Sequence, residues 1–435
     1  MRFIIATLAL FVGACATTTT PINVALSGPQ VAAPARAPVG ADLIVLALSG
    51  GGARAASFHL GVLQGLRDTP GRDGRPLSEH IAFISSVSGG SVLAAHYALH
   101  GEAGLDTFDA AYLDRDWRVR GPASPFGIAG AFRGGMNGPA QLAEWLDAQL
   151  YQGARMDGLG AGPRVVLNAT DIFNGTAFAF TPLFFDGVCS DLGQVRVADA
   201  VAASMAVPVA FRPVLVESQA AQCNGPPEWT ERILANRDAP ENVRQTARAF
   251  HNYRGNTSAA QRFVHLADGG VADNLGMLSL QVMRAAEPAP SPLTAQEALQ
   301  ARRVLFIVIN AEYVRERTYQ QNGSDRIGFG EAVLAPIDVA MDVAKRGSVD
   351  LWRAQLPAYE AELRRFRCAA AIADCEAIEL AMDVITFRDM TPEEYEALFD
   401  TPTELSLPRE TVDALVAAGR GVVSRNAAVA ELRGD

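Results

Sequence analysis

A chain of 435 residues with 49% hydrophobic side chains is long enough to bury one large core or two ordinary ones. Its formal net charge of −11 argues against a nucleic-acid partner, because contacts to phosphate backbones call for a basic face. Lys345 is the only lysine. No Gly-Lys-Ser/Thr phosphate loop is present, and the single candidate for a lysine Schiff base lies in a polar helical stretch.

Residues 1–14 read as a signal peptide. Arg2 is the positive n-region, Phe3 to Val12 a short apolar h-region, and Gly13 and Ala14 small cleavage-site residues. The apolar run is too short to span a bilayer. Val12-Gly13-Ala14-Cys15 resembles a bacterial lipobox, which implies that Cys15 is lipidated and anchors the protein to a membrane. An ordinary cleaved signal with a cysteine nearby is the alternative. Ala16 in place of aspartate resembles the pattern for outer-membrane sorting, facing the periplasm or the exterior. Residues 15–40, rich in Thr, Pro and Ala, have no periodicity and predict a flexible tether.

Leu43 to Leu48 is all apolar, as expected of a buried parallel strand. Gly50-Gly51-Gly52 then opens a helical spacing over Ala56 to Leu66. A glycine loop at a helix N-terminus is an anion site, because unpaired N–H groups point out of it. It fits either a dinucleotide pyrophosphate or an oxyanion hole. Gly50, Gly52 and Ala55 give only G-x-G-x-x-A, and no strand ending in an acid follows, so the nucleotide fingerprint is incomplete. Arg54, just past the loop, adds positive potential where an oxyanion would sit.

Ile81 to Tyr97 reads as strand, sharp turn and helix. Ser88 sits at the turn, with Ser86 two residues before it and Gly89 and Gly90 after. Small neighbours let the backbone pass close to itself, and the turn exposes a serine over a helix N-terminus, as a nucleophile elbow does. Two successive strand–turn–helix units place both turns at the carboxyl edge of one parallel sheet. Arg262 to Ala267 predicts another strand, ending in the turn Asp268-Gly269-Gly270, with Asp273 and Asn274 following on the same loop.

Gly50-Gly51-Gly52-Ala53-Arg54, the Ser88 elbow and Asp268-Gly269-Gly270 together resemble the motif set of the patatin-like phospholipases. Asn168-Ala169-Thr170-Asp171 at the end of a strand, and Ala198 to Pro213, are similar to further family segments. The resemblance runs from about residue 43 to about 310. It implies a three-layer α/β/α domain with a mainly parallel sheet, here 41–435 with 311–435 as a C-terminal extension. It departs from the family at two positions, since Ser86 stands where the elbow usually begins with glycine and Ala55 where glycine usually follows the arginine.

The resemblance also implies a serine acyl hydrolase of lipid esters, of phospholipase A or lysophospholipase type, with Ser88 as nucleophile and Asp268 as base. Its oxyanion hole would be the Gly50–Gly52 loop supported by Arg54, and no cofactor or metal is needed. No histidine follows Asp268, so a triad in the order Ser, Asp, His cannot use that acid. A catalytically silent surface lipoprotein on the same fold, and a nucleotide-binding α/β protein, are the other readings.

The polar stretch from Glu217 to Gln261 predicts an insertion, either a lid over the site or a surface excursion. Arg302 to Asn310 predicts a buried strand, Ile327 to Trp352 a long amphipathic helix, Glu376 to Phe387 a strand, and Thr411 to Ala418 a final helix. Thr391-Pro392-Glu393-Glu394 is a helix start. With Cys15 set aside, four cysteines remain, an even number that suggests disulfides in an oxidising compartment. The short spacing favours Cys368–Cys375, leaving Cys189–Cys223. Zinc is the rival, without a Cys-x-x-Cys or His-x-x-x-His to support it.

Overall fold

The computed structural model describes residues 20–30, 35–38, 40–115, 117, 135, 137–255, 261–287, 290–311 and 329–433. The expected signal peptide and Cys15 lie outside these residues. β1 (Asp42–Leu48), α1 (Gly52–Asp68), β2 (Ile81–Val87) and α2 (Gly89–His100) come first. β3 (Arg164–Asp171), β4 (Thr176–Ala179), α3 (Val197–Ser204) and β5 (Val214–Glu217) follow. α4 (Glu228–Ala235) and α5 (Glu241–Arg254) lead to β6 (Phe263–Asp268) and α6 (Met277–Ala286). β7 (Arg303–Asn310), α7 (Phe329–Ala369), β8 (Glu379–Thr386) and α8 (Arg409–Arg425) complete the main elements.

The strands form one sheet in the order β5-β6-β3-β2-β1-β7-β8, with β4 also paired to β3. The run β3-β2-β1-β7-β8 is parallel throughout, and β4, β5 and β6 join antiparallel. Burial on both faces accounts for the near-continuous apolar runs of β1 and β7, and every residue of β2 is buried. Helices cover both faces. α1 packs on α2 and α8, and α6 on α7. Phe306 of β7 meets Trp352 of α7 edge-on, with ring centroids 5.5 Å apart. The architecture is the three-layer α/β/α sandwich that the sequence predicts.

Three local expectations are corrected. The stretch assigned as a flexible tether is docked over residues 20–30. Ile22 N–H donates to the Leu215 carbonyl at 3.0 Å and Leu26 N–H to that of Cys189 at 2.9 Å. Asn23 both donates to the carbonyl and accepts from the N–H of Glu217, each at 2.8 Å. Composition is silent about such partners, but β5 is an edge strand whose outward groups need covering.

The described part of the expected insertion, residues 217–255, packs on the domain. α4 and α5 bury Trp229, Ile233, Val243, Phe250 and Tyr253, and α5 packs on α6 and β4. The helix expected from 327 to 352 continues to Ala369. The last predicted helix is longer than expected, and another, Ala427–Arg433, follows it, started by Asn426, whose side chain accepts the Val429 N–H at 2.9 Å. Cys189–Cys223 and Cys368–Cys375 are disulfide-bonded.

Candidate active site

The site forms where the carboxyl ends of β1 and β2 meet the end of β6. Ser88 follows β2 with φ 50° and ψ −121°, a left-handed conformation that costs a non-glycine residue of order 1–3 kcal/mol and persists only where surroundings enforce it. Its carbonyl accepts the N–H groups of Ser91 and Val92 at 2.8 and 3.3 Å, which winds the chain directly into α2. At Ser86, the position where the family usually has glycine, a serine is accommodated because its hydroxyl has partners: the Val166 carbonyl at 3.0 Å and the Ser91 hydroxyl at 3.1 Å. Gly90 sits so close to the Ser49 carbonyl that an added Cβ would approach it to 2.7 Å.

β6 delivers Asp268 by antiparallel pairing with β3, Ala169 opposite Asp268. The Asp268 backbone is pinned on both sides. Its N–H donates to the Ala206 carbonyl at 2.9 Å, and its carbonyl accepts the Thr170 hydroxyl at 2.8 Å. Its carboxylate accepts the Gly270 N–H at 2.8 Å. Burial pushes the carboxyl up to about 6, and the Gly270 N–H and the Ser88 hydroxyl that faces it hold it from rising further. A carboxylate with that value is a stronger base than an exposed one and is still ionised at neutral pH. Gly269 packs against the Asn168 carbonyl, with no room for a side chain.

The glycine loop lies beside the elbow. A Cβ on Gly50 would come within 3.2 Å of the Ser88 Cβ. Of the three glycines expected to supply oxyanion donors, Gly50 is excluded, since its N–H donates to the Asn274 carbonyl at 3.1 Å. The Ala53 N–H is likewise engaged by the Glu404 carbonyl at 2.7 Å. Gly51 and Gly52, with φ 140° and 60°, keep N–H groups that donate to no group among the described residues. Arg54 lies under this loop. Its guanidinium is against Gly51 and donates to the Ala311 and Thr401 carbonyls and the Thr403 hydroxyl, so it holds the loop's shape.

Five of the histidines are engaged away from Asp268. His80 contacts Asp42 and Asp73, His96 contacts Thr107, and His100 the Leu150 carbonyl. His251 bonds Thr230 between α4 and α5, and His265 packs edge-on against Phe173. Burial holds the imidazole of His59 down at about 3. Among the described residues no group of three or more His, Cys, Asp or Glu could hold a metal ion.

A parallel sheet core, a serine elbow between strand and helix, and a glycine loop beside it define an α/β protein of the nucleophile-elbow class. The comparison with known families narrows this. The model of the patatin-like phospholipases matches residues 46–280, more than half of the chain, and the protein belongs to that family. No curated protein matches the chain significantly.

Among solved structures it is similar to human GIVD cytosolic phospholipase A2, at 12% identity and a TM-score of 0.42, covering 90% of this chain and 60% of that one. The same human protein in complex with methyl gamma-linolenyl fluorophosphonate gives 12% identity and 0.39, covering 91% and 59%. VipD from Legionella pneumophila gives 15% and 0.29, covering 66% and 53%. The chain thus spans about three-fifths or less of the length of these structures.

Proposed function

We propose that this protein is a serine hydrolase of lipid acyl esters, phospholipids or lysophospholipids, working through a Ser88–Asp268 dyad. The observation that carries this reading is the strained Ser88 elbow with its hydroxyl facing a buried carboxylate of raised pKa. Asp268 takes the hydroxyl proton as the Ser88 oxygen bonds to the ester carbonyl carbon. The negative charge on the carbonyl oxygen is held by the Gly51 and Gly52 N–H groups, each worth about 3 kcal/mol in the transition state. As the intermediate collapses, the C–O bond to the alcohol breaks and Asp268 returns the proton to the leaving oxygen. A water then gives a proton to Asp268 as its oxygen attacks the acyl-enzyme carbonyl, and on collapse the bond to the Ser88 oxygen breaks and Asp268 returns the proton to it, releasing the fatty acid and restoring both groups.

Exposed apolar side chains next to the site are in keeping with an acyl substrate. Val207 and Val209 are exposed on the turn that follows the Ala206 carbonyl bound to Asp268, and Val209 is held at φ 73°, a conformation rare for a β-branched residue. We read the N-terminus as a lipid anchor at Cys15 and place the protein in the cell envelope. Labelling by a fluorophosphonate probe tests the chemistry. Labelling that disappears in Ser88→Ala supports the hydrolase, and failure of the folded parent to label sinks it. Cys15→Ser is expected to release the protein from membranes, and unchanged fractionation refutes the anchor.

A further inference from the structure

We propose that Ser204 is a positioning residue that fixes the separation of Ser88 and Asp268, holding the elbow with its side chain and the end of β6 with its backbone. The proposal rests on the reading of those two residues as nucleophile and base.

Ser204 is the last residue of α3 and is fully buried. The Ser88 N–H donates to its hydroxyl oxygen at 2.8 Å. β2 pairs with β3 only as far as Val87 opposite Asn168, so the Ser88 N–H lies one residue past the ladder, where a buried donor without a partner costs about 1–3 kcal/mol. The Ser204 hydroxyl in turn donates to the Asn168 carbonyl at 2.6 Å, which fixes its rotamer. On the other side of the same residue, the Ser204 carbonyl accepts the Gly269 N–H at 3.2 Å, and two residues on, the Ala206 carbonyl accepts that of Asp268. One short segment therefore grips the residue that carries the hydroxyl and the residue that carries the carboxylate.

A second contact stiffens this grip. The Ser91 hydroxyl stands 2.9 Å from that of Ser204 and 3.1 Å from that of Ser86, and the Ser86 hydroxyl donates to the Val166 carbonyl. The three hydroxyls carry three protons. Two go to the Val166 and Asn168 carbonyls and the third lies between Ser91 and a neighbouring hydroxyl, so none is left without a partner. The row ties α2, α3 and β3 together beneath Ser88. A serine at position 86 is therefore a member of this network.

Without the Ser204 hydroxyl the elbow loses its link to α3, and a displacement of the nucleophile by about 1 Å costs on the order of 100-fold in rate. The Ser88 hydroxyl also withdraws from the Asp268 carboxylate, which removes a group that lowers its pKa. Burial and the Gly270 N–H are the other influences on that carboxyl, and neither is altered. Asp273, on the same loop, is itself raised by burial and keeps its own partners, the N–H groups of Leu275 and Leu278.

The test is ester hydrolysis by the full chain, with active sites titrated by a fluorophosphonate, in Ser204→Ala, Ser204→Cys and Ser204→Thr. In Ser204→Ala, kcat per titrated site is expected to fall about 10- to 100-fold with KM within about twofold, and the acid limb of the rate profile is expected to move to higher pH. Ser204→Thr, which keeps the hydroxyl, is expected to recover most of the loss. If Ser204→Ala does not fold, Ser204→Cys carries the same readout, because a thiol is a weak acceptor of similar size. An acid limb that stays in place, or a kcat per titrated site within about threefold of the parent, overturns the proposal, since a purely structural serine would change only the amount of folded protein. Ser88→Ala separates the two levels: ester turnover that persists without Ser88 refutes the dyad itself, whatever Ser204 does.

Discussion

Nη1 of Arg54 donates to the carbonyl of Thr401 at 2.8 Å, across 347 positions of sequence. With the bonds to Ala311 and Thr403, this clamps the start of α1 between the end of β7 and the C-terminal extension. Arg54 is buried, and truncating it strands several carbonyls. Arg54→Ala is expected to destabilise the fold by about 3 kcal/mol or more in chemical denaturation. Arg54→Lys is expected to recover only part, because one ammonium cannot span both sides as the guanidinium fork does. A loss below about 1 kcal/mol for Arg54→Ala would remove Arg54 from this role.

As the proposed base, Asp268 would give the reaction a defined pH dependence. The working form of the base is the carboxylate, and its pKa is raised to about 6, so hydrolysis is expected to fall as pH drops through about 6. Stability follows the opposite course. The folded state binds this proton more tightly than the unfolded chain, so stability is greatest below the unfolded value of 3.8 and declines as pH rises to about 6. That difference corresponds to about 3 kcal/mol. Asp268→Asn is expected to abolish turnover while raising the thermal midpoint at pH 8, with the gain vanishing near pH 4. A midpoint lowered at pH 8 would show that the carboxylate is not under this strain.

Gly52 is held at φ 60°, and a Cβ there would come 2.2 Å from the Glu404 carbonyl oxygen. Gly52→Ala therefore pushes the C-terminal segment off the glycine loop or drives the loop out of shape. Activity is expected to fall at least 100-fold, as for loss of an oxyanion donor, with a lowered midpoint of unfolding. Gly158 has open space around its Cβ position, and Gly158→Ala is expected to leave both within the scatter of a surface substitution, about 0.5 kcal/mol. Equal effects of the two substitutions would discount the close approach of Glu404.

The elbow and the glycine loop were legible in the sequence because each is built within about a dozen neighbouring residues, where small side chains and strand-to-helix periodicity leave a local signature. Asp268 was legible only in company, since an Asp-Gly turn alone is common. What stayed hidden is what the fold brings together. The Gly50 N–H meets Asn274, Ser88 meets Ser204, and Arg54 meets Thr401 through pairings more than a hundred residues apart. No spacing rule encodes them. Residues 20–30 depart from the expected tether for the same reason: their composition describes a chain without partners, and the edge of β5 supplies some.

The Cys189–Cys223 disulfide bears on the insertion. It closes a separation of 34 residues and fastens the chain before α4 to the end of the helix Pro182–Gly187. Chain entropy for a loop of this length gives about 4 kcal/mol as an upper value. The bond lies beside Arg254, whose guanidinium donates to the Gly187 and Gly225 carbonyls, and beside Leu26, whose N–H donates to the Cys189 carbonyl. Breaking it loosens three segments that meet at one corner, none of which includes Ser88 or Asp268. Reduction, or Cys189→Ala with Cys223→Ala, is therefore expected to lower the midpoint of unfolding and to expose residues 217–261 to proteolysis first, while kcat of the folded protein stays within about twofold. A lid would behave differently, since freeing it would change KM and substrate access before stability. Limited proteolysis followed by assay of the nicked protein distinguishes the two: loss of fold together with activity supports a wall, and altered KM in a stable nicked protein would support a lid.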